Sequence, residues 1–282
     1  MLIDSARPAT KAVRVPTPET PWYRTRAGLL LGRVAVGVFL VLLWWLADAL
    51  DVLPDTLLPS PLSVANAFVT LTTEPDFWFA MLQTVSNALI ALALALVVGI
   101  PIGLVLGLLP KAERATRFLL DLGRSFPVIA LLPVMILLLG VSSQMEILVI
   151  FLAVLWPVLL QTIYGSRRLD PVVRDTARVY RFTLPIRFLK VLLPAASPFI
   201  MTGIRVAGSL SILVAMAVEL LAWTPGLGSD MGRALVDERP EIALGYFFWA
   251  GVLGIALNAL LQFLEDKILV WNARADQGAT NA

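Results

Sequence analysis

Apolar stretches free, or almost free, of Asp, Glu, Lys and Arg recur along the chain at Val34 to Ala47, Phe79 to Pro110, Ser125 to Met145, Ile147 to Ser166 and Ile242 to Leu264. About 20 mostly apolar residues in a helix cross about 30 Å of hydrocarbon, so each stretch predicts a transmembrane helix. The first reaches full length when Gly28 to Arg33 joins it and Arg33 extends its charged head to the headgroups. A further span is predicted from Pro198 to Ala222, with Arg205 near one end and Glu219 near the other. The expected fold class is therefore all-α integral membrane, with six transmembrane helices.

The segments between the spans alternate in charge. Six Lys or Arg precede the first span, and the next loop carries Asp48, Asp51, Asp55, Glu74 and Asp76 without a cation. Lys111, Arg114, Arg117 and Arg124 fill the second loop, Glu146 alone marks the third, and seven cations crowd the fourth. With Lys267 and Arg274, 19 of the 22 basic residues fall on one side of a six-span arrangement. Positively charged loops stay in the cytoplasm, which predicts cytoplasmic termini. The expected organisation is a cytoplasmic arm at 1–27, a six-helix domain at 28–264 and a cytoplasmic tail at 265–282. The arm is read as a polar extension rather than a cleaved signal, because the apolar run after it is long enough to span.

Composition sharpens this. Of 282 residues, 59% are apolar and 15% charged, mean hydropathy is +0.84, and there is no cysteine or histidine. Soluble domains are roughly 45–50% apolar and about 25% charged. The missing residue types remove disulfides, thiol nucleophiles, zinc-thiolate sites and the commonest general base, and most enzyme chemistry with them. Paired carboxylates or a Ser-Lys arrangement at membrane depth, which an intramembrane enzyme would need, are not evident along the chain. The cations are read as facing a lipid bilayer, not nucleic acid, and no cofactor or metal site is expected in this chain.

Gly99, Gly103 and Gly107 recur at i, i+4 and i+8, a stripe that lets another helix approach closely where lipid gives no hydrophobic drive. Pro101, Pro133, Pro157 and Pro198 sit within or at the start of spans and predict kinks. Trp44, Trp45, Trp78, Trp223, Trp249 and Trp271 lie near span ends as interfacial anchors. Ser60-Pro61 predicts a capped short helix whose apolar face carries Leu62, Ala65, Phe68 and Val69.

Two features bear on function. The segment Arg167 to Leu193 is far longer than a turn needs and mixes seven cations with fourteen apolar residues, while Pro171 and Pro185 divide it into two short helices. Such a loop either docks on another protein or rests on the bilayer surface. In the fifth span, Arg205, Ser209, Ile212, Met216 and Glu219 follow helical spacing on one face, with the two charges about 21 Å apart. Gln83 with Asn87, and Asn258 with Gln262, are further i, i+4 polar pairs. Polar side chains in a bundle face protein or a cavity. These residues, with Gln83 and Asn87, are therefore candidates either for a solute pathway or for hydrogen bonds between helices. Arg205 has the same two readings: positive potential at a cytoplasmic exit, or a tie between helix ends.

Arg174-Asp175-Thr176-Ala177-Arg178-Val179-Tyr180-Arg181, followed by Val191-Leu192-Leu193-Pro194, resembles the EAA loop of binding-protein-dependent ABC importer permeases. In that pattern Asp175, Thr176 and Ala177 occupy the Glu-Ala-Ala positions, Arg181 the Gly, Val191 the Ile, and Leu193-Pro194 the end. Asp175 is shorter than the usual Glu, and Arg181 stands where a glycine permits a turn. Leu57-Leu58-Pro59-Ser60-Pro61, Gly99-Ile100-Pro101-Ile102-Gly103 and Ala217-Val218-Glu219 look like the nitrate, sulfonate, taurine and bicarbonate branch. The resemblance implies a type I importer permease in the bacterial inner membrane that works as a homodimer. It implies that Asp175, Thr176, Ala177, Arg181, Val191, Leu193 and Pro194 couple it to two ATP-binding subunits, which hold the Mg-ATP. An extracytoplasmic solute-binding protein would deliver a small, anionic solute such as nitrate, a sulfonate, taurine or an organic acid. The chain has no Gly-x-x-x-x-Gly-Lys-Ser/Thr sequence with which to hold ATP itself. The alternative is an ion-coupled secondary transporter, which the lack of ionisable residues mid-span and of internal duplication disfavours.

Overall fold

A computed structural model of the protein describes residues 26–54, 56–168, 179, 180, 183, 186 and 188–268. The chain divides into two units, Met1–Leu53 and Pro54–Ala282. The first contains α1 (Arg26–Ala49), apolar and long enough to span from Leu30 to Ala49. The second runs α2 (Pro61–Leu71), α3 (Pro75–Leu108), α4 (Pro110–Ser125), a 3-10 turn (Val128–Leu131), α5 (Leu132–Leu139) and α6 (Ser143–Arg167). After a π turn (Phe188–Leu192) come α7 (Leu193–Ala222), α8 (Leu227–Val236) and α9 (Pro240–Ile268). Every regular element among the described residues is helical.

The organising contact is α6 held between α3 and α7. Gly99, Gly103 and Gly107 of α3 all face α6. A Cβ on Gly103 would sit 2.6 Å from the Thr162 Cβ and 2.9 Å from the Leu159 carbonyl, and one on Gly107 would overlap Ser166. On its other side α6 presents Gly165, where a Cβ would lie 2.9 Å from the Ala196 carbonyl of α7. Gly203 of α7 answers it, within 3.2 Å of the Pro157 carbonyl by the same measure. The glycine stripe therefore serves packing inside the chain. Around it Ala88, Ala91, Ala95, Met145, Val149, Val154, Val158, Ala207, Ala215 and Val218 form a dry core.

The expected third span, Ser125 to Met145, is not one helix. α4 and the following 3-10/α5 segment meet at an 85° bend, so five helices are long and apolar enough to cross a membrane, or six if the bent pair is one span. Pro127 is the cause. It excludes Phe126 from helical geometry, which takes φ −77° and ψ 127°, while Gly140 at φ 67° ends α5. Pro101, Pro157 and Pro198 lie inside helices that continue through them.

The short helix forms where Ser60-Pro61 predicts it: the Ser60 hydroxyl oxygen accepts from the Ser63 N–H at 3.2 Å. Its buried face differs from the expected one. Val64, Ala67 and Leu71 are buried, and Leu62 and Val69 are exposed. Phe68 stacks on Trp249 of α9 at 4.5 Å, and the Trp249 indole donates to the Phe68 carbonyl at 2.9 Å. Trp249 is thus a packing residue as well as a span-end aromatic.

If α3 and α6 touch through glycines, size at those positions decides stability. Gly103→Ala should cost about 1–3 kcal/mol through overpacking, whereas Gly254→Ala, with nothing within 4 Å of the added carbon, should be neutral or stabilising. Thermal unfolding of the detergent-solubilised protein, followed by retention of the monodisperse species, checks the order.

Candidate functional site

The residues expected to share one face of the fifth span separate. Ser209 is exposed on α7, in line with Thr202, Val206 and Leu213, while Ile212, Met216 and Glu219 are buried. Ile212 belongs to the core shared with α3 and α6, and Met216 packs with Phe77, Leu227 and Tyr246. A straight wheel through the five residues overlooked that α7 is covered on more than one side. Its open face runs through Thr202, Val206, Ser209 and Leu213.

Arg205 is tied down. Its guanidinium makes an ion pair with Glu265 of α9, which compensates its charge and joins the middle of α7 to the end of α9. Of the two readings of this residue, the tie is the one the geometry supports. A similar bond joins Arg167, at the end of α6, to Glu113 of α4. Further along the same two helices Gly123 lies under the Trp156 ring, with no room for a Cβ. Beside this contact an apolar cavity of about 380 Å³ opens at the bend, lined by Gly123, Phe126, Pro127, Trp156, Leu210 and Val214 among others.

The N-terminal part of α3 carries the polar contacts. Gln83 donates to the Ser143 hydroxyl at 3.1 Å, and the Leu227 N–H donates to the Thr84 hydroxyl at 3.0 Å. These are bonds between elements, in line with the hydrogen-bonding alternative for Gln83. Asn87 is buried and faces Glu146. Glu146 does not stand in a loop: it lies in the first turn of α6, fully buried, beside Glu219 from the last turn of α7. Sequence reasoning treated the two acids as separate markers and found no carboxylate pair; the fold brings them together. The available signal was Glu146 standing alone between two apolar runs, directly after the helix-capping Ser142.

Over Glu219 the chain folds as Gly226-Leu227-Gly228. The Gly228 N–H donates to its Oε2 at 2.8 Å, and a Cβ on Gly226 would overlap the carboxyl. From this turn α8 leads to a cavity of about 290 Å³ bounded by Asp76, Phe79, Gln83, Gly226, Ser229, Asp230 and Arg233. Burial holds the Asp230 carboxyl above the usual carboxylate range; Asp76 adds to this and Arg233, bonded at 3.1 Å, opposes it.

Of the expected coupling residues, Asp175, Thr176, Ala177 and Arg181 lie outside the described residues. Val191, Leu193 and Pro194 are half-buried at the start of α7, where Leu192 packs against Leu104, Ala196 and Ile200. Among the described residues no group of three or more acidic side chains is placed to hold a metal.

The family described as binding-protein-dependent transport system inner membrane component matches residues 99–269. The chain is 26% identical to the taurine transport system permease protein TauC of Escherichia coli K12, over 85% of this chain and 90% of that one. It is 30% identical to the putative aliphatic sulfonates transport permease protein SsuC of Bacillus subtilis 168, covering 88% of each. With the nitrate import permease protein NrtB of Leptolyngbya laminosa it shares 27% identity over 70% of this chain and 71% of that one. A chain of the MetNI methionine ABC transporter, solved in inward-facing conformations, has a similar fold at TM-score 0.56 and 19% identity. That alignment covers 66% of this chain and 91% of that one.

Two outcomes follow from the geometry. Arg205→Glu and Glu265→Arg should each lower the yield of folded protein, and the double swap should restore it with a coupling of about 1 kcal/mol or more, measured by a double-mutant cycle. For Asp230 the sign is set by a folded-state carboxyl that holds its proton more tightly than the unfolded one. Its ionised form therefore costs stability at neutral pH, and the cost vanishes in acid as both states protonate. Asp230→Asn should accordingly raise the melting temperature slightly at neutral pH and leave it unchanged at acidic pH.

Proposed function

The chain belongs to the family of binding-protein-dependent transport system inner membrane components, and from that premise we propose how this ABC importer permease works. It is a multi-pass inner-membrane transport subunit. Two copies form one conduit; each contributes six spans, counting the bent α4–α5 pair as one, and keeps both termini in the cytoplasm, the side on which the cations before α1, between α6 and α7 and after α9 then lie. The observation that carries the reading is the match over residues 99–269, which contains the glycine-bearing end of α3, the α6 and α7 helices packed with it, and the whole Arg167 to Pro194 loop.

The loop is the lever. Asp175, Thr176 and Ala177 seat in a groove on an ATP-binding subunit, and Arg181 offers that partner a cation in place of the usual glycine. Val191, Leu193 and Pro194 join the lever to α7, so a push on the loop is delivered along the helix that carries Ser209. Two ATP-binding subunits hold Mg-ATP, and their closure draws the two levers together. The chain alternates between opening to a solute-binding protein outside and to the cytoplasm.

Solute passes between the two copies along the open face of α7, through Thr202, Val206, Ser209 and Leu213. Ile212, Met216 and Glu219 shape that wall from behind. Arg205 is compensated by Glu265 and gives the exit no net positive charge. The taurine, sulfonate and nitrate permeases among its relatives support a solute carrying a small oxyanion group. Selection among such solutes then falls to the binding protein and to the size of the passage.

Three measurements test this. Ala177→Glu should abolish co-purification of the ATP-binding subunit and stimulation of its ATPase, while the permease stays monodisperse. Ser209→Trp should lower uptake by reconstituted importer about tenfold or more with ATPase coupling retained, whereas Leu119→Trp, on the exposed surface of α4, should not. Uptake that follows a proton or sodium gradient without ATP would overturn the reading.

A further inference from the structure

Glu146 and Glu219 are both fully buried, and they lie side by side. Two ionised carboxylates cannot share a dry site without a cation, because each loses its hydration and each repels the other. The groups facing them from every packed element are neutral. α3 offers Thr84 and Asn87, the turn after α7 offers the Thr224 hydroxyl and the Gly226 and Gly228 backbone, and α5 has no ionisable side chain. The charged residues of α8, Asp230 and Arg233, line the neighbouring cavity with Asp76, and Tyr246 of α9 packs on Phe77.

Hydrogen-bond accounting points to what is missing. Glu219 Oε2 accepts from Gly228, but its Oε1, both oxygens of Glu146, the Asn87 Nδ2 and the Thr224 Oγ1 are buried with no partner at bonding distance. Asn87 is 3% exposed and Thr224 0%, and both face Glu146. One added proton changes the balance. A carboxyl O–H then donates to the opposing carboxylate, and the single remaining charge is solvated by the Gly228 N–H, the Thr224 O–H and the Asn87 amide.

We propose that Glu146 and Glu219 form an acid–carboxylate pair that retains one shared proton at neutral pH and so fastens the Thr224–Gly228 turn onto α3, α6 and α7. The pair bridges the start of one helix and the end of another. The turn it holds has no slack, since a Cβ at Gly226 or Gly228 would overlap the Glu219 side chain or the Met216 carbonyl. Losing the proton puts two negative charges in one dry pocket and pushes the turn away, taking with it the wall of the Asp230 cavity that Gly226 and Ser229 provide. This rests on the fold and not on the transport reading.

The test is the pH dependence of thermal unfolding in nanodiscs for wild type, Glu146→Gln and Glu219→Gln, with sodium or a bulky organic cation as the only salt. Infrared spectra at neutral pH accompany it. Wild type should lose roughly 5 °C or more of melting temperature between neutral and alkaline pH relative to Glu146→Gln, which keeps the hydrogen bond without the second charge. The wild-type spectrum should contain a carbonyl band of a buried protonated carboxyl that Glu146→Gln lacks. Parallel pH profiles for wild type and Glu146→Gln, or no such band, would overturn the proposal. So would stabilisation of wild type alone by sodium, which would assign the site to a metal cation. Should Glu219→Gln not fold, Glu146→Gln with the spectra still decides the matter.

Discussion

Backbone-to-backbone contact along α6 is the constraint on which the rest of the chain depends. Inside a bilayer, apolar side chains gain little by leaving lipid for protein, so helices stay together through close van der Waals contact. Glycines supply it on both flanks of α6: Gly99, Gly103 and Gly107 on α3, Gly165 on α6 itself, and Gly203 on α7. Hydroxyls sit in the same seams and are satisfied within their own helix. Thr162 donates to the Val158 carbonyl and Ser166 to that of Ile163. A polar atom is thereby placed between tightly packed helices without an orphaned proton.

With the three helices locked, the remaining charges are forced into particular places. Arg205 and Glu265 close one end of the α7–α9 contact, and Arg167 with Glu113 anchors α4 to the end of α6. At the other end of α7, Glu146 and Glu219 meet because the first turn of α6 packs against the last turn of α7. The first turn of a helix has free backbone N–H groups, and Gly228 in the first turn of α8 gives its own to Glu219. Among the described residues the two fully buried carboxylates, Glu146 and Glu219, thus stand at helix termini, and the middle of the core is aliphatic.

The sequence made the spans and the packing stripe legible for clear reasons. Long uncharged runs leave few alternatives in lipid, and three glycines at i, i+4 and i+8 share one face of any helix. It was less informative where several neighbours compete for one helix. A wheel projection grouped Ser209 with Ile212, Met216 and Glu219, yet a helix enclosed from several directions buries three of these and exposes one. The face of the short helix after Ser60 failed likewise, because Val64, Ala67 and Leu71 are as apolar as Leu62 and Val69 and only tertiary contact chooses between them. Glu146 was read as a loop residue because an acid usually interrupts an apolar run at the surface; here it interrupts the run at a helix start that is buried.

Pro127 shows why local rules must be weighed by position. Four other prolines were expected to bend their helices, and three of them, Pro101, Pro157 and Pro198, lie within helices that run on. Each is embedded in a long helix that continues on both sides of it. Pro127 instead follows the amphipathic α4, where the chain passes from a charged surface to the apolar Val128 to Leu139 segment. The bend turns α5 against α6 and leaves an apolar hollow under Trp156, bordered by Leu210 and Val214 of α7. A proline therefore breaks this fold where the polarity of the sequence has already changed, and is absorbed where it has not.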